Sequence, residues 1–127
     1  MTEQDVQDWL DAYGQAWVEG DADQAAALFS DIATYRETPF DDAMRGRGEI
    51  REYWQKNAAD AQIDVEFSSQ VWAVNDDTAI AGWQACFTRK ASRTRVELDG
   101  TFKLVFSGGS GTLLCMRLEE WWHIRES

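Results

Sequence analysis

The second half of the chain is built from long strand-like segments that follow one another closely. They cover residues 63–74, 78–90, 95–106 and 112–124, and short turn sequences rich in Asn, Asp, Ser and Gly separate them. Turns this short join antiparallel strands, because parallel neighbours need a long crossover connection. A sheet of such long strands twists strongly. Its apolar face must then be covered by another layer of the protein.

The first half of the chain supplies that layer as three helices. From Val6 to Trp17, apolar residues recur at helical spacing, between a capping Thr2 and a terminating Gly20. The second and third helices are shorter, and their predicted apolar residues are Ala25, Ala26, Leu28, Phe29, Ile50, Tyr53 and Trp54. These helices are the elements available to cover the sheet.

Alternation in the third strand-like segment indicates which face is covered. Val96 and Phe102 share one face, whereas Glu97 and Lys103 lie on the other. No linker, repeat or low-complexity segment divides the chain, so residues 1–127 are predicted to form one domain. The predicted fold is α+β, with a cone-shaped, strongly curved antiparallel sheet wrapped around the three N-terminal helices.

Charge and composition argue against several classes of partner. The formal net charge of −11 would repel nucleic acid and anionic membranes. The chain has no run of 18 or more apolar residues, and its N-terminus lacks the pattern of a signal peptide, so a cytoplasmic location is expected. Cys86 and Cys115 lie in separate apolar segments and are expected to be reduced thiols. With a single histidine, His123, and no cysteine spacing typical of metal sites, neither a metal nor a cofactor is predicted.

The strand-like segment 32–37 ends in an acid, Glu37, just before the turn at Pro39. This position can put one carboxylate at the mouth of an aromatic-lined pocket, where burial raises its pKa. A carboxylate whose pKa is close to the working pH can remove a proton α to a carbonyl. Two other interpretations of Glu37 stay open, a solvent-exposed charge and an ion pair with Arg36 or Arg45.

A second acid, Glu120, shares its strand face with Leu118 and Trp122. An acid between apolar neighbours is unusual on an ordinary surface. It is either a second carboxylate of the pocket or the partner of an arginine, and the candidate arginines are Arg36, Arg45 and Arg47. The pair Asp99-Gly100 is interpreted as a turn or a bulge that directs Asp99 inward.

Short motifs along the whole chain resemble those of one superfamily. They are residues 13–21 with Trp17 and Gly20, Leu28-Phe29-Ser30-Asp31, Ala33-Thr34-Tyr35, Ile50-Arg51-Glu52-Tyr53-Trp54 and Glu119-Glu120-Trp121-Trp122-His123. In order and content they resemble the SnoaL-like branch of the nuclear transport factor 2-like superfamily. The resemblance implies the fold described above. It implies no single activity, because the superfamily contains isomerases, cyclases, dehydratases, hydrolases and binding modules.

Within that superfamily, residues 13–54 are similar to ketosteroid isomerases. The resemblance implies that Tyr13 corresponds to a hydrogen-bond donor, Glu37 to the general base and Trp54 to an aromatic pocket residue. The second, protonated acid of that pattern falls on Phe102 in this chain. Half of the oxyanion-binding pair of those enzymes is therefore absent at the matching position.

Two functions of different classes follow from these features. The first is a cofactor-independent isomerase, cyclase or lyase that binds a small apolar or cyclic metabolite, with the catalytic candidates Glu37, Tyr13 and Glu120. Its predicted pocket walls are Trp17, Tyr35, Phe40, Trp54, Trp83, Phe102 and Trp122, although Tyr13 and several of the tryptophans fit an ordinary core equally well. The second function is a non-catalytic ligand-binding or dimerisation module. A homodimer through the sheet is predicted from an apolar outer face that carries Leu113, Cys115 and Trp121.

Overall fold

Within residues 1–107 and 112–127, which the computed structural model describes, the chain forms three α-helices and six β-strands. The helices are α1 (Glu3–Glu19), α2 (Ala22–Ala27) and α3 (Gly46–Trp54), and α3 continues into a π-helical turn, Gln55–Ala59. The strands are β1 (Phe29–Arg36), β2 (Met44–Arg45), β3 (Gln62–Asn75), β4 (Thr78–Arg89), β5 (Arg95–Ser107) and β6 (Leu114–Glu126). The hairpin tip predicted at residues 108–111 lies outside the described residues.

The strands form one curved sheet in the order β2-β1-β6-β5-β4-β3, and the helices cover its inner face. The consecutive pairs β3-β4, β4-β5 and β5-β6 are antiparallel, as predicted. Strand β1 runs parallel to β6, so the sheet is mixed and, in its described part, open rather than closed. A parallel pair is possible because most of the chain connects the two strands. The predicted α+β class with three N-terminal helices is confirmed.

The first helix is formed by the signals that its sequence contains. Thr2 and Asp5 form a capping box, in which each side chain accepts a hydrogen bond from the other residue's backbone N–H. Gly20 ends the helix with a φ of 67°, a left-handed conformation that glycine adopts without strain. The buried residues between these ends are Val6, Trp9, Leu10, Tyr13, Gly14, Ala16 and Trp17. The predicted stripe of α1 therefore faces the sheet.

The boundary between α2 and β1 differs from the prediction. Phe29 was expected on the apolar side of the second helix, but α2 ends at Ala27 and Phe29 begins β1. The reason is the carbonyl of Leu28, which accepts hydrogen bonds from the Cys115 backbone N–H and the Trp9 indole, both at 2.9 Å. These bonds join the chain to β6 at the point where the helix would otherwise continue.

The bulge predicted at Asp99-Gly100 is absent from the structure, which pairs β5 with β4 in continuous register there. Asp99 is exposed on the outer face, whereas Gly100 faces inward. The glycine is needed for packing, because an added Cβ would come within 2.6 Å of the Trp83 ring and 2.8 Å of the Trp121 carbonyl oxygen. The Trp83 indole therefore lies flat against the β5 backbone.

A bulge occurs instead in β6, where Arg117 pairs with Val105 and Cys115 pairs with Phe106. The extra residue, Met116, reverses the alternation upstream of it, so Cys115 is fully buried rather than on the outer face as predicted. Burial raises the pKa of the Cys115 thiol to about 12. Cys115 and Cys86 are both free thiols, as expected.

The described helices are too short or too polar for a lipid bilayer. None of them combines the length and the apolarity that a membrane crossing requires. The longest, α1, has 17 residues and carries acidic side chains in its first turn. The cytoplasmic location expected from the sequence stays a prediction.

Candidate active site

A cavity of about 210 Å³ lies between the inner face of the sheet and the helices. Residues from α1, β1, α3, β3, β4, β5 and β6 line it. The aromatic side chains around it pack edge to face, for example Tyr13 on Trp54 with ring centroids 5.3 Å apart. The floor and walls are therefore fixed by packing, while the half-exposed Trp122 and Ile124 mark the open end.

Eight of the ten residues predicted for the site do line this cavity. They are Tyr13, Trp17, Tyr35, Glu37, Trp54, Trp83, Glu120 and Trp122. The sequence signals that found them were the helical stripe of α1, the end of β1 and the alternation of the last strand. Their side chains converge because helix and sheet faces that bury apolar residues must meet.

The other two predicted residues, Phe40 and Phe102, do not line the cavity. Phe40 is 92% exposed, because the turn at Pro39 carries it away from the sheet. Phe102 is fully buried beneath the cavity wall, where its ring stacks on Trp83 at a centroid distance of 5.1 Å. Phe102 thus supports a wall residue from behind.

Eight lining residues were not predicted for the site, namely Tyr53, Asn57, Ala58, Gln62, Phe87, Arg89, Leu98 and Ile124. Tyr53 was assigned only to the buried stripe of α3. Phe87 and Arg89 could have been found, because they follow Trp83 on the same face of β4 at a period of two residues. No signal in the sequence indicates that Asn57 or Gln62 reaches the same space.

The two predicted acids lie side by side in the cavity. Arg36 of β1 pairs with Glu119 of β6, and the two strands are parallel. The residues that follow, Glu37 and Glu120, therefore lie side by side at the same level. Neighbouring strands are about 4.8 Å apart. Both acids belong to the cavity lining. The site therefore contains a pair of carboxyl groups close enough to influence one another.

Glu120 is the more buried acid of the two, with only 7% of its surface exposed. Burial raises its pKa well above the ordinary value of 4.5, and the negative charge of Glu37 raises it further. In the described part of the chain, no lysine or arginine lies within ion-pair distance of Glu120. The predicted alternative of an arginine partner is therefore wrong, and the raised pKa favours the protonated form of Glu120.

Two of the three candidate arginines have other partners, and the third, Arg45, is exposed to solvent. Arg36 donates to the carbonyl oxygen of Asp41, and Arg47 donates to the carbonyl oxygen of Phe29 at 2.7 Å. Both bonds hold loops around β1 and β2. Neither guanidinium is left to neutralise an acid in the cavity.

Glu37 has an environment different from that of Glu120. Partial burial raises its pKa, whereas a hydrogen bond from the Tyr53 hydroxyl lowers it. The net shift of the pKa is upward, and it is smaller than that of Glu120. A pair of acids whose surroundings separate their pKa values can divide the roles of base and acid between them.

Two tyrosines complete the polar part of the cavity. The hydroxyls of Tyr13 and Tyr35 are hydrogen-bonded to each other at 2.8 Å, and both side chains are 2% exposed. Burial raises the pKa of both phenols, and the charge of Glu120 raises them further. Both groups therefore remain protonated and act as hydrogen-bond donors next to Glu120.

Two indole N–H groups of the cavity walls are unpaired. Within the described residues, Nε1 of Trp54 and Nε1 of Trp83 are buried and have no acceptor. A buried donor without an acceptor costs about 1–3 kcal/mol of stability. Trp17 differs, because its Nε1 donates to Oε1 of Gln62 at 2.7 Å.

A larger groove of about 630 Å³ crosses the outer face of the sheet. It is shallow and open, and it carries the exposed His123 and Asp99. Its acid Glu97 has a lowered pKa, because it is hydrogen-bonded to Arg125. Ionised, solvated groups of this kind are typical of a protein surface, so the inner cavity is the better candidate for chemistry.

In residues 1–107 and 112–127, no three His, Cys, Asp or Glu side chains come together as a metal site would require. The two acids of the cavity are instead accompanied by phenols. The arrangement offers two carboxyl groups with raised pKa values and a hydrogen-bonded pair of phenol hydroxyls in an aromatic enclosure. Such a set can move a proton and stabilise an oxyanion.

Helices that cover one face of a curved, mixed sheet, together with acids at the bottom of an aromatic cavity, define the nuclear transport factor 2-like class of fold. Residues 6–112 match the SnoaL-like domain family, which is most of the chain. The chain therefore belongs to the SnoaL-like domain family. A comparison with curated proteins gives no match.

Solved structures agree with this assignment. The epoxide hydrolase/cyclase-like enzyme SalBIII, of pyran ring formation in the polyether salinomycin, is 23% identical with a TM-score of 0.78, over 96% of this chain and 95% of SalBIII. A hexachlorocyclohexane dehydrochlorinase, LinA type 2, is 8% identical with a TM-score of 0.81, over 98% and 87%. A ketosteroid isomerase-like protein from Erwinia carotovora atroseptica is 18% identical with a TM-score of 0.72, over 93% of each chain. At these identities the likeness establishes the fold alone.

The raised pKa of Glu120 predicts how stability depends on pH. The folded chain keeps a proton that the unfolded chain releases above pH 4.5. The free energy of unfolding should therefore fall by about 1.4 kcal/mol per pH unit above pH 4.5, until the pH passes the folded pKa. We expect Glu120→Gln to remove this loss, so that the variant is more stable than the wild type at pH 7.5. Urea unfolding at pH 5 and pH 7.5 measures the difference.

The matched control is Glu119→Gln, which changes the neighbouring acid on the other face of β6. Its effect on the free energy of unfolding should be the same at both pH values. An equal effect of Glu120→Gln at the two pH values would contradict a raised pKa of Glu120.

Proposed function

We propose that the protein is a cofactor-independent isomerase, cyclase or lyase that acts on a small apolar or cyclic metabolite. The observation that carries this proposal is the pair of neighbouring acids, Glu37 and Glu120, in a cavity whose lining contains eight aromatic side chains. Burying two carboxyl groups without a cation destabilises a fold. A catalytic role gives a reason for that arrangement, because acid–base groups need shifted pKa values.

In this proposal, Glu37 is the general base. Partial burial raises its pKa, which makes its carboxylate a stronger base than that of an exposed glutamate. It takes a proton from the carbon α to a carbonyl group, and the electron pair of the C–H bond moves to the carbonyl oxygen. The proton on Glu37 can then return to a second carbon, which isomerises the substrate. Loss of a leaving group from the β carbon, or attack on an internal electrophile, gives a lyase or a cyclase.

Tyr13 and Glu120 stabilise the oxygen on which negative charge develops. Burial raises the pKa of both groups, which favours their protonated, hydrogen-bond-donating forms. The hydroxyls of Tyr13 and Tyr35 share one hydrogen bond, in which either can be the donor. With Tyr35 as the donor, the proton of Tyr13 is available to the substrate. Two donors aimed at a developing oxyanion in a dry cavity lower the barrier by several kcal/mol.

The register of β5 and β6 supports the role of Glu120. Phe102 stands where ketosteroid isomerases have their protonated acid, and Phe102 pairs directly with Glu120 across the two strands. Side chains of such a pair lie about 5 Å apart. The acid that is missing from β5 is therefore replaced by one on the adjacent strand, at the same level of the cavity.

The names of the similar structures are consistent with this class of reaction. A dehydrochlorinase, an epoxide hydrolase/cyclase-like enzyme and a ketosteroid isomerase-like protein share the fold. Proton removal begins an elimination or an isomerisation, and an acid assists a ring closure. Which of these reactions occurs depends on the substrate, which the fold does not specify.

Exchange of carbon-bound hydrogen tests the base without knowledge of the natural substrate. We expect the protein to accelerate exchange of the α-protons of 1-indanone or 2-tetralone in D₂O, followed by ¹H NMR. Glu37→Gln should lower the rate by about 10²–10⁴-fold, because the amide accepts no proton. Titration of the Glu37→Gln variant with the ketone, followed by quenching of tryptophan fluorescence, should give a dissociation constant within about twofold of the wild-type value.

Glu49→Gln is the control for the loss of one negative charge, because Glu49 lies in the first turn of α3, outside the cavity lining. Its exchange rate should equal that of the wild type. Binding of both ketones with no acceleration of exchange would contradict the proposal and favour the alternative, a ligand-binding module without catalysis.

A homodimer through the outer face of the sheet is also proposed. Trp72 and Trp121 are each more than half exposed there. The ring of Trp72 lies on Gly82, which pairs with Thr101, and Thr101 pairs with Trp121. Two half-exposed indoles on either side of one strand pair form an apolar patch that a second copy could cover.

Sedimentation velocity at micromolar concentration tests the dimer. We expect a dimer for the wild type and a monomer for Trp121→Arg, because a charge in the contact is costly to bury. The control is Phe40→Ser, which removes an exposed aromatic ring from a loop outside the sheet. A monomeric wild type, or an equal effect of both substitutions, would contradict the sheet-to-sheet contact.

A further inference from the structure

The cavity lining contains one cationic side chain among the described residues, that of Arg89. Arg89 is the last residue of β4 and shares its inner face with Trp83 and Phe87. Its guanidinium carbon lies 5.7 Å from the centre of the Phe87 ring. A cation over an aromatic wall is a permanent positive charge in a protein whose net charge is −11.

Arg89 lies at the opposite end of the cavity from the acids. In the sheet, Glu120 is level with Phe102 and Ala81, and Arg89 is eight residues further along β4. No ion pair joins Arg89 to Glu37 or Glu120 in the part of the chain that the structure describes. The positive charge is therefore free to serve a purpose other than neutralising the catalytic candidates.

The present partner of Arg89 is Glu126, near the end of β6. Nε of Arg89 and Oε1 of Glu126 are 3.0 Å apart, and the two side chains are 44% and 47% exposed. Ion pairs with this degree of exposure contribute about 0–1 kcal/mol, because water competes for both charges. Glu126 does not belong to the cavity lining. An anion arriving from the cavity could replace it at little cost.

A second hydrogen-bond donor, the side-chain amide of Gln62, is adjacent to Arg89. Gln62 of β3 pairs with Arg89 of β4 in the sheet, and both side chains line the cavity. Oε1 of Gln62 accepts a hydrogen bond from the Trp17 indole at 2.7 Å, which fixes the orientation of the amide. The Nε2 group, with two N–H donors, is then left for another acceptor. Two adjacent donor groups match the two oxygens of a carboxylate.

We propose that the substrate is an amphipathic carboxylate, whose anionic group binds Arg89 and Gln62 and displaces Glu126. Its apolar body, aromatic or alicyclic, lies along the walls formed by Trp17, Trp83 and Phe87 towards the acids. This inference names the substrate class for the proposed function, and it rests on that function only for the statement that the bound acid is converted. The binding of the anion depends on residues remote from Glu37 and Glu120.

The test compares an acid with its neutral isostere. The probes are 4-fluorocinnamate and 4-fluorocinnamamide, titrated with the protein and followed by ¹⁹F NMR. We expect the wild type to bind the acid about tenfold more tightly than the amide, because charge-assisted hydrogen bonds are the stronger ones. Arg89→Gln should weaken binding of the acid about tenfold and leave that of the amide within about twofold. Glu126→Gln should strengthen binding of the acid about two- to fivefold, because it removes the competing carboxylate.

Arg125→Gln is the matched control, since Arg125 forms a similar ion pair with Glu97 on the outer face of β6. It should change neither affinity, and thermal unfolding checks that every variant is folded. Equal affinities of the wild type for acid and amide, or no binding of the acid at millimolar concentration, would overturn the proposal. A loss of both probes in Arg89→Gln would do the same, because it would mean that Arg89 only maintains the cavity.

The titration involves no turnover, so its result is independent of Glu37. A chain that prefers the acid but gives no exchange of α-protons would contradict the proposed reaction and leave the anion site intact. If the protein catalyses exchange but binds the acid and the amide equally, the proposed reaction would stand and the proposed carboxylate substrate would be contradicted.

Discussion

A long, curved sheet has an apolar inner face that must be covered, and in this protein three helices cover it only in part. The helices pack where α1 crosses β3 and where α2 and α3 approach β1, which buries Tyr13, Trp17 and Trp54 against the sheet. Large aromatic rings meeting edge to face leave space between them that no side chain fills. The cavity is the consequence of this incomplete cover, and every chemical feature of the site depends on it.

The enclosure determines the charge of the groups inside it. Glu120 and Glu37 are the same amino acid, yet the pKa of the more buried Glu120 is raised further, because burial disfavours the charged form and the negative charge of Glu37 adds to the effect. The same burial keeps Tyr13 and Tyr35 protonated. At the open end, the side chain of Arg89 is 44% exposed to solvent. The cavity therefore changes from a buried end with acids and phenols to an exposed end with a cation.

Much of this arrangement was predictable from the sequence, and the reasons for the exceptions are physical. Glu37 was identified from its position at the end of a strand-like segment before Pro39, and Glu120 because it interrupts an apolar strand face. The sequence did not predict that the two acids are adjacent. Their adjacency depends on the parallel pairing of β1 with β6, for which the local sequence has no signal. Likewise, Cys115 turned inward because of a bulge at Met116 that alternation does not reveal.

Arg89 and Gln62, at the open end of the cavity, were not predicted as site residues for the same reason. Arg89 continues the period of two residues set by Trp83 and Phe87, but its importance depends on Gln62, which two register shifts within β3 and β4 bring opposite to it. The account as a whole rests on the raised pKa of Glu120. Carbon-13 NMR of the glutamate carboxyl groups, with Glu120→Gln to identify the signal, measures that pKa directly. We expect the Glu120 carboxyl to titrate well above pH 4.5, and a titration centred near pH 4.5 would contradict the account.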